Sequence, residues 1–316
     1  MNKIKTEPFI EFNITEKCNY RCNYCSQGIL NKENSSKLQN ATDNVIDGVI
    51  ELLKDLGQDY TIQFIGGEPF CHPKFIETVK KVADLGNKMI VVTNMSYPVS
   101  SYKELIQAAG KNLVRIHGSM HLSEIKDLDS NIKNIIEIKH NLYSNTEFRI
   151  MSILLDNNFE LLKGIKQKLN QNGIEFIVSR LLTDGFPKKY SDEEEAFLLK
   201  QNSTYQNNII KSINIKTKNV LCNAGSKVFH IRTNGDIERC WSYQNNPNFQ
   251  VLGNVTNKKS INLLKCPMPC YANFCKCSYP SEKQTYFYSS FIPFYLFKEK
   301  YKEKFKQSIA MFLSLQ

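Results

Sequence analysis

Phe9-Ile10-Glu11-Phe12-Asn13-Ile14-Thr15 is followed, after Glu16-Lys17, by Cys18, Cys22 and Cys25, spaced C-x3-C-x2-C by Asn19-Tyr20-Arg21 and Asn23-Tyr24. The apolar-rich run reads as a buried strand, and the polar stretch after it as a loop leaving the strand's C-terminal end. Thiolates bind zinc or iron–sulfur clusters, but a structural zinc takes four protein ligands, and the loop supplies three. Three thiolates on a four-iron cluster leave one iron open to a substrate or cofactor.

Outward from this loop the chain alternates. Thr42 caps a helix whose apolar face is Val45, Ile46, Val49, Leu52, Leu53 and Leu56, with Gly57 at its end. Tyr60 to Ile65 is a strand running into Gly66-Gly67-Glu68-Pro69. Helices around 74–85, 102–109, 132–142 and 159–169 then alternate with strands at 89–93, 113–117, 147–155 and 174–179. Six strands alternating with helices imply right-handed crossovers and a parallel sheet, either open or curved into a partial barrel. The polar motifs all follow strands: the cysteine loop, Gly66-Gly67-Glu68, Thr93-Asn94 and Ser119. Parallel sheets and barrels place their chemistry at that edge, so these residues are expected to converge.

A chain of 316 residues suggests two units. Its 41% hydrophobic and 23% charged residues exclude disorder and a membrane bundle. Met1 to Phe12 has no signal-peptide core, so a cytoplasmic location is expected, where ten clustered cysteines read as ligands rather than disulfides. The +10 charge favours an anionic partner, but much of it lies in Lys-rich helix faces such as Lys80-Lys81 and 298–306, so it selects no substrate.

The alternation stops near Ser203, and six of the ten cysteines lie between Cys222 and Cys277. That density suggests a small module held by metal. Within it, Val228 to Arg239 reads as a hairpin turning at Asn234-Gly235, which brings Cys222 and Cys240 together. Cys266-x3-Cys270-x4-Cys275-x-Cys277 supplies further ligands. A zinc ribbon is the alternative. Residues 1–203, 204–282 and 283–316 are thus read as core domain, cysteine module and tail. Phe294, Phe297, Tyr301, Phe305, Ile309 and Phe312 recur at helical intervals, giving an amphipathic tail helix docked on its own barrel, or else on a membrane surface or acidic partner.

The C-x3-C-x2-C loop after the first strand, together with Gly66-Gly67-Glu68-Pro69, resembles the radical S-adenosylmethionine (SAM) superfamily over Pro8 to about Thr183. The resemblance implies a [4Fe-4S] cluster on Cys18, Cys22 and Cys25 that chelates SAM and cleaves it to methionine and a 5′-deoxyadenosyl radical, which abstracts hydrogen from an unactivated carbon. It implies an α/β fold, a partial (β/α)6 barrel with a cysteine-rich module and helical tail, and an electron donor such as flavodoxin or ferredoxin. Gly66 to Pro69 would lie along the SAM ammonium, with Glu68 approaching it. Thr93 and Asn94 would sit near ribose and adenine, and Ser119 on the SAM carboxylate with Arg149 as its cationic partner. Cys71 reads as a small buried hydrophobe, and His72, His117 and His121 are assigned no chemistry.

Gly235-x4-Cys240 resembles the opening half of the family's SPASM and twitch modules. Cys222, Cys240 and two of Cys266, Cys270, Cys275 and Cys277 would then hold one auxiliary [4Fe-4S] cluster, although the spacing departs from the C-x2-C-x5-C-x3-C of the full SPASM pattern. The resemblance implies modification of a ribosomally made peptide or protein. The rivals are radical oxidation or epimerisation of a small molecule such as a carbohydrate, and a non-catalytic zinc or cluster protein on nucleic acid, which has no use for the glycine turn.

Overall fold

The computed structural model describes residues 8–25, 38–183, 186–201, 221–240, 251–270 and 291–292. Six strands run parallel and adjacent in chain order: β1 (Phe9–Thr15), β2 (Thr61–Gly66), β3 (Met89–Thr93), β4 (Leu113–Ser119), β5 (Glu147–Leu154) and β6 (Glu175–Arg180). The connecting helices are α1 (Asp43–Leu56), α2 (Phe75–Asp84), α3 (Val99–Ala109), α4 (Leu128–Asn141) and α5 (Phe159–Gln171). A further helix, α6 (Asp192–Gln201), was not expected from the sequence; four acidic residues open it. Strands β7 (Leu182–Thr183) and β8 (Phe186–Pro187) form a separate antiparallel pair.

Strand alternation divides the sheet into two faces. Ile10, Phe12 and Ile14 of β1, Ile62 and Phe64 of β2 and Ile150 of β5 are fully buried in the main core with the apolar stripes of the helices. In α1 that stripe is Val45, Ile46, Val49, Leu52 and Leu53, and Thr42 caps the helix by accepting the N–H of Val45. The alternate residues face the other way. Phe9 and Ile90 form a small apolar plug there with Val228.

The C-terminal segments are β9 (Leu221–Cys222), β10 (Val228–Ile231), β11 (Asp236–Glu238), β12 (Val251–Asn254), β13 (Met268–Pro269) and β14 (Phe291–Ile292). The expected hairpin is present as β10 and β11, but it is part of the main sheet. Strand β10 pairs parallel with β1, and the order runs β12-β11-β10-β1-β2-β3-β4-β5-β6. Phe229, Ile231, Ile237 and Leu252 join the main core, so an apolar core shared with β1, rather than metal alone, holds this hairpin. Strand β9 pairs with both β13 and β14. Of the expected tail helix only Phe291–Ile292 is described, and it is extended; Phe294 to Phe312 lie outside the described residues. Among the described residues no helix is long and apolar enough to cross a membrane.

Candidate active site

The cysteine loop is set by the turn beneath it. Gly67 N donates to Thr15 O at 2.8 Å and Glu68 N to Lys17 O at 2.9 Å. A Cβ on Gly66 would sit 2.1 Å from Thr15 O, and one on Gly67 2.4 Å from Lys17 O. Only glycines let the two backbones approach this closely, and Gly66 also has φ +156°. Glu16 exchanges backbone and side-chain hydrogen bonds with Gln39, fixing the other side of the loop.

Above this turn, at the C-terminal edge of the sheet, Cys18, Cys22, Cys25, Gly66, Gly67, Thr93, Asn94 and Ser119 line one cavity of about 210 Å³. The structure therefore brings most of the expected site residues together. Glu68 is placed differently. Its fully buried carboxylate accepts Asn94 N at 2.6 Å, Thr93 Oγ1 at 2.9 Å and Phe70 N at 3.3 Å, so it points into the protein rather than toward a ligand ammonium. Burial pushes its pKa up to about 7 against the lowering effect of those three donors. Pro69 begins a short 3-10 turn behind the wall.

Arg149 is displaced as well. It lies opposite His117 on the adjacent strand, one inward-facing position below Ser119, and its Nε bonds Glu175 Oε2 at 2.7 Å. It is part of a polar inner face rather than the cavity wall. The rows there include Arg115–Glu147 at 2.8 Å, Gln63–Glu11 at 2.9 Å, His230–Glu11 at 3.3 Å and Arg232–Glu238 at 2.7 Å. A closed barrel fills this space with branched apolar residues; a buried polar lining is costly unless it serves a ligand or is fully paired. Asn13 Oδ1 and Glu238 Oε2 are buried acceptors without a hydrogen bond among the described residues.

The donor set fits a cluster. Burial pushes the Cys18 thiol up to about 11 and the Cys22 thiol up to about 12, with Glu68 and Glu124 adding to the respective shifts. Bare thiolates are thus disfavoured here, and bound metal cations reverse that preference. Among the described residues no three His, Cys, Asp or Glu side chains are placed to hold one metal ion. Three thiols lining one cavity suit a multi-iron group, in which each iron takes its own sulfur. The eight described cysteines, including Cys71, are thiols rather than disulfides. Cys71 is half-buried and accepts the Tyr97 hydroxyl at 3.4 Å, a polar contact rather than the apolar burial expected.

Several residues around the cavity were given no role from the sequence. Tyr24 Oη lies 3.2 Å from His121 Nδ1, Tyr20 meets the same imidazole edge-on at 6.2 Å, and Arg21 N donates to Glu124 Oε2 at 2.9 Å. These contacts tie the cysteine loop to the loop after β4. The available signals were the two tyrosines inside the loop and a histidine two residues past Ser119. His72, by contrast, is spent on structure: Nε2 meets Ala41 O at 2.9 Å and Nδ1 accepts Lys74 N.

Residues 12–147 match the model of the Radical SAM superfamily. Over that stretch the chain is similar to a radical SAM domain. MJ0907 of Methanocaldococcus jannaschii is 28% identical over 282 residues, covering 82% of this chain and 93% of that protein. GTP 3′,8-cyclase of Actinobacillus pleuropneumoniae is 32% identical over 103 residues, 32% of this chain and 30% of that enzyme. SuiB of Streptococcus suis bound to S-adenosylmethionine shares the fold with TM-score 0.52 and 17% identity, over 80% of this chain and 64% of SuiB. The chain thus spans less than two thirds of SuiB and under one third of the cyclase.

Proposed function

We propose that the protein binds a [4Fe-4S] cluster through Cys18, Cys22 and Cys25, cleaves SAM reductively and abstracts hydrogen from a ribosomally made peptide or protein. The observation that carries this is the meeting of three thiols, the Gly66-Gly67 turn and Ser119 around one cavity at the sheet's C-terminal edge. When bound, the cluster and SAM supply a hydrogen-abstracting radical. The chain's own residues bind and orient: the glycine turn offers unhindered backbone, and Ser119 and Asn94 offer hydrogen-bonding groups to an amino-acid moiety and nucleoside. Likeness to SuiB, which has been solved with precursor peptide SuiA bound, supports a peptide substrate. A reduced flavodoxin or ferredoxin would deliver the electron.

A second, auxiliary [4Fe-4S] cluster belongs to the same proposal. Cys222 pairs in register with Met268, Cys266 and Cys270 flank Met268 by two residues each, and Arg239, next to Cys240, donates to the carbonyls of Met268 and Pro269. The backbone thus gathers these four cysteines into one neighbourhood. Cys275 and Cys277 lie outside the described residues.

Anaerobic reconstitution tests both parts. The protein should bind about eight irons and release 5′-deoxyadenosine from SAM under dithionite. Cys18→Ala, Cys22→Ala, Cys25→Ala together should leave about four irons and no cleavage. A fully loaded wild type that never cleaves SAM would sink the reading. A small polar substrate is the second reading, supported by the buried acceptors Asn13 Oδ1 and Glu238 Oε2 on the inner face. Deuterium passing into 5′-deoxyadenosine from a deuterated sugar or nucleotide, but not from peptides, would favour it.

A further inference from the structure

Asn94 stands between two asparagines' worth of hydrogen-bonding choices, and its neighbours fix which end of its amide faces the cysteine loop. Its Oδ1 accepts Ser96 N at 3.1 Å, so the oxygen must face the loop after β3. Its Nδ2 then donates to Asn19 Oδ1 at 2.8 Å and points at Cys18 Sγ at 3.8 Å. Asn19 is oriented in turn by Nδ2 donating to Ser96 Oγ at 2.7 Å, which leaves its own oxygen toward Asn94. Exchanging oxygen and nitrogen in either amide would break this ring of contacts. The backbone is equally constrained, since Asn94 N is held by the buried carboxylate of Glu68 at 2.6 Å, and Asn94 is only 4% exposed.

Cys18 also accepts Tyr20 N at 3.4 Å. Two N–H groups therefore face one sulfur of the cysteine loop. Hydrogen bonds to cluster sulfurs offset the negative charge gained on reduction and help set the reduction potential. We infer that Asn94, held by Ser96, Asn19 and Glu68, tunes the reduction potential of the N-terminal cluster by donating to Cys18 Sγ, a role that holds only where Cys18, Cys22 and Cys25 carry the cluster proposed above. It makes Asn94 a positioning and tuning residue for electron entry, separate from any contact it makes with SAM.

The test is a reductive titration of the anaerobically reconstituted full chain, followed by electron paramagnetic resonance without SAM, so that altered SAM binding does not enter. To isolate one signal, wild type and variants carry Cys222→Ala and Cys240→Ala. Asn94→Ala with wild-type iron content should make reduction about tenfold less favourable, a potential lower by ~59 mV for one electron. Asn94→Leu, which keeps the bulk and removes the donor, should shift it likewise. Iron-loaded variants with an unchanged potential overturn the inference, as does failure of both to load iron where the parent loads, which would make Asn94 purely structural. Loss of iron on changing Cys18, Cys22 and Cys25 checks the cluster reading independently of either result.

Discussion

The buried carboxylate of Glu68 accepts the backbone N–H of Asn94 at 2.6 Å, clamping the turn after β2 to the end of β3. Glu68→Ala would leave that N–H and the Phe70 N–H short of an acceptor, while the Thr93 hydroxyl can turn to Tyr102 Oη at 3.0 Å. Each buried orphan costs about 1–3 kcal/mol, so urea denaturation should show a loss of roughly 2–6 kcal/mol for the pair. Glu68→Gln keeps one acceptor oxygen and should lose less than half as much. Equal losses would show that charge, not hydrogen bonding, is what the clamp requires.

Gly67 admits Lys17 O to a distance no Cβ tolerates. Gly67→Ala should cost roughly 1–3 kcal/mol in denaturation, as overpacking does, and should lower iron loading because the displaced carbonyl precedes Cys18. An alanine variant with full stability and full iron would show that the loop has another way to close.

Burial, with Arg149 and Arg115 nearby, pushes the pKa of His117 down to about 4. The unfolded chain, near 6.5, then binds the proton more readily than the folded one. His117 therefore contributes stability that is present above pH 6.5 and lost as pH falls toward 4, at most about 3 kcal/mol. His117→Gln should flatten the stability curve between those limits, measured by urea midpoints against wild type at each pH. A variant whose curve parallels wild type would mean that the folded ring titrates normally.

Changing Cys222 and Cys240 to alanine together should leave uncoupled SAM cleavage largely intact while stopping product formation, if the auxiliary centre positions substrate or accepts an electron after hydrogen abstraction. Iron content and circular dichroism identify folded samples that keep the first cluster. Because Phe229, Ile231 and Ile237 anchor the intervening hairpin in the main core, the fold is expected to survive. A folded double variant that makes product at the wild-type rate would leave these cysteines a structural role.

The order of strands and helices from Phe9 to Arg180 was readable because apolar spacing and helix-capping residues act over a few neighbours. Strand Met89–Thr93 was read with its observed ends, and the cysteine loop, glycine turn and Ser119 were placed at one edge by the rule that parallel strands point the same way. Helix Asp192–Gln201 was missed because its apolar face is weak and its opening turn is acidic. Of the residues singled out from the sequence, Cys18, Cys22, Cys25, Gly66, Gly67, Thr93, Asn94 and Ser119 line one cavity. Tyr24 and His121 line the same cavity, and with Arg21 and Glu124 they join loops about a hundred residues apart.

By itself the sequence determined the β-α alternation, the three-thiol loop and the hairpin around Asn234-Gly235, all of which follow from residues near one another in the chain, whereas the close approach of Gly66 and Gly67 to Thr15 and Lys17 is a tertiary contact. Tertiary structure alone decided that this hairpin lies beside β1, with Val228 in register with Phe9. It also decided that Arg149 pairs with Glu175, that Glu68 turns inward, and that the amide of Asn94 meets Cys18. The physical reason is that a periodic pattern says which face of a strand is buried but not which strand is its neighbour. A buried charged or amide side chain takes whatever partner the register sets opposite it, and that register is fixed by packing across the whole sheet.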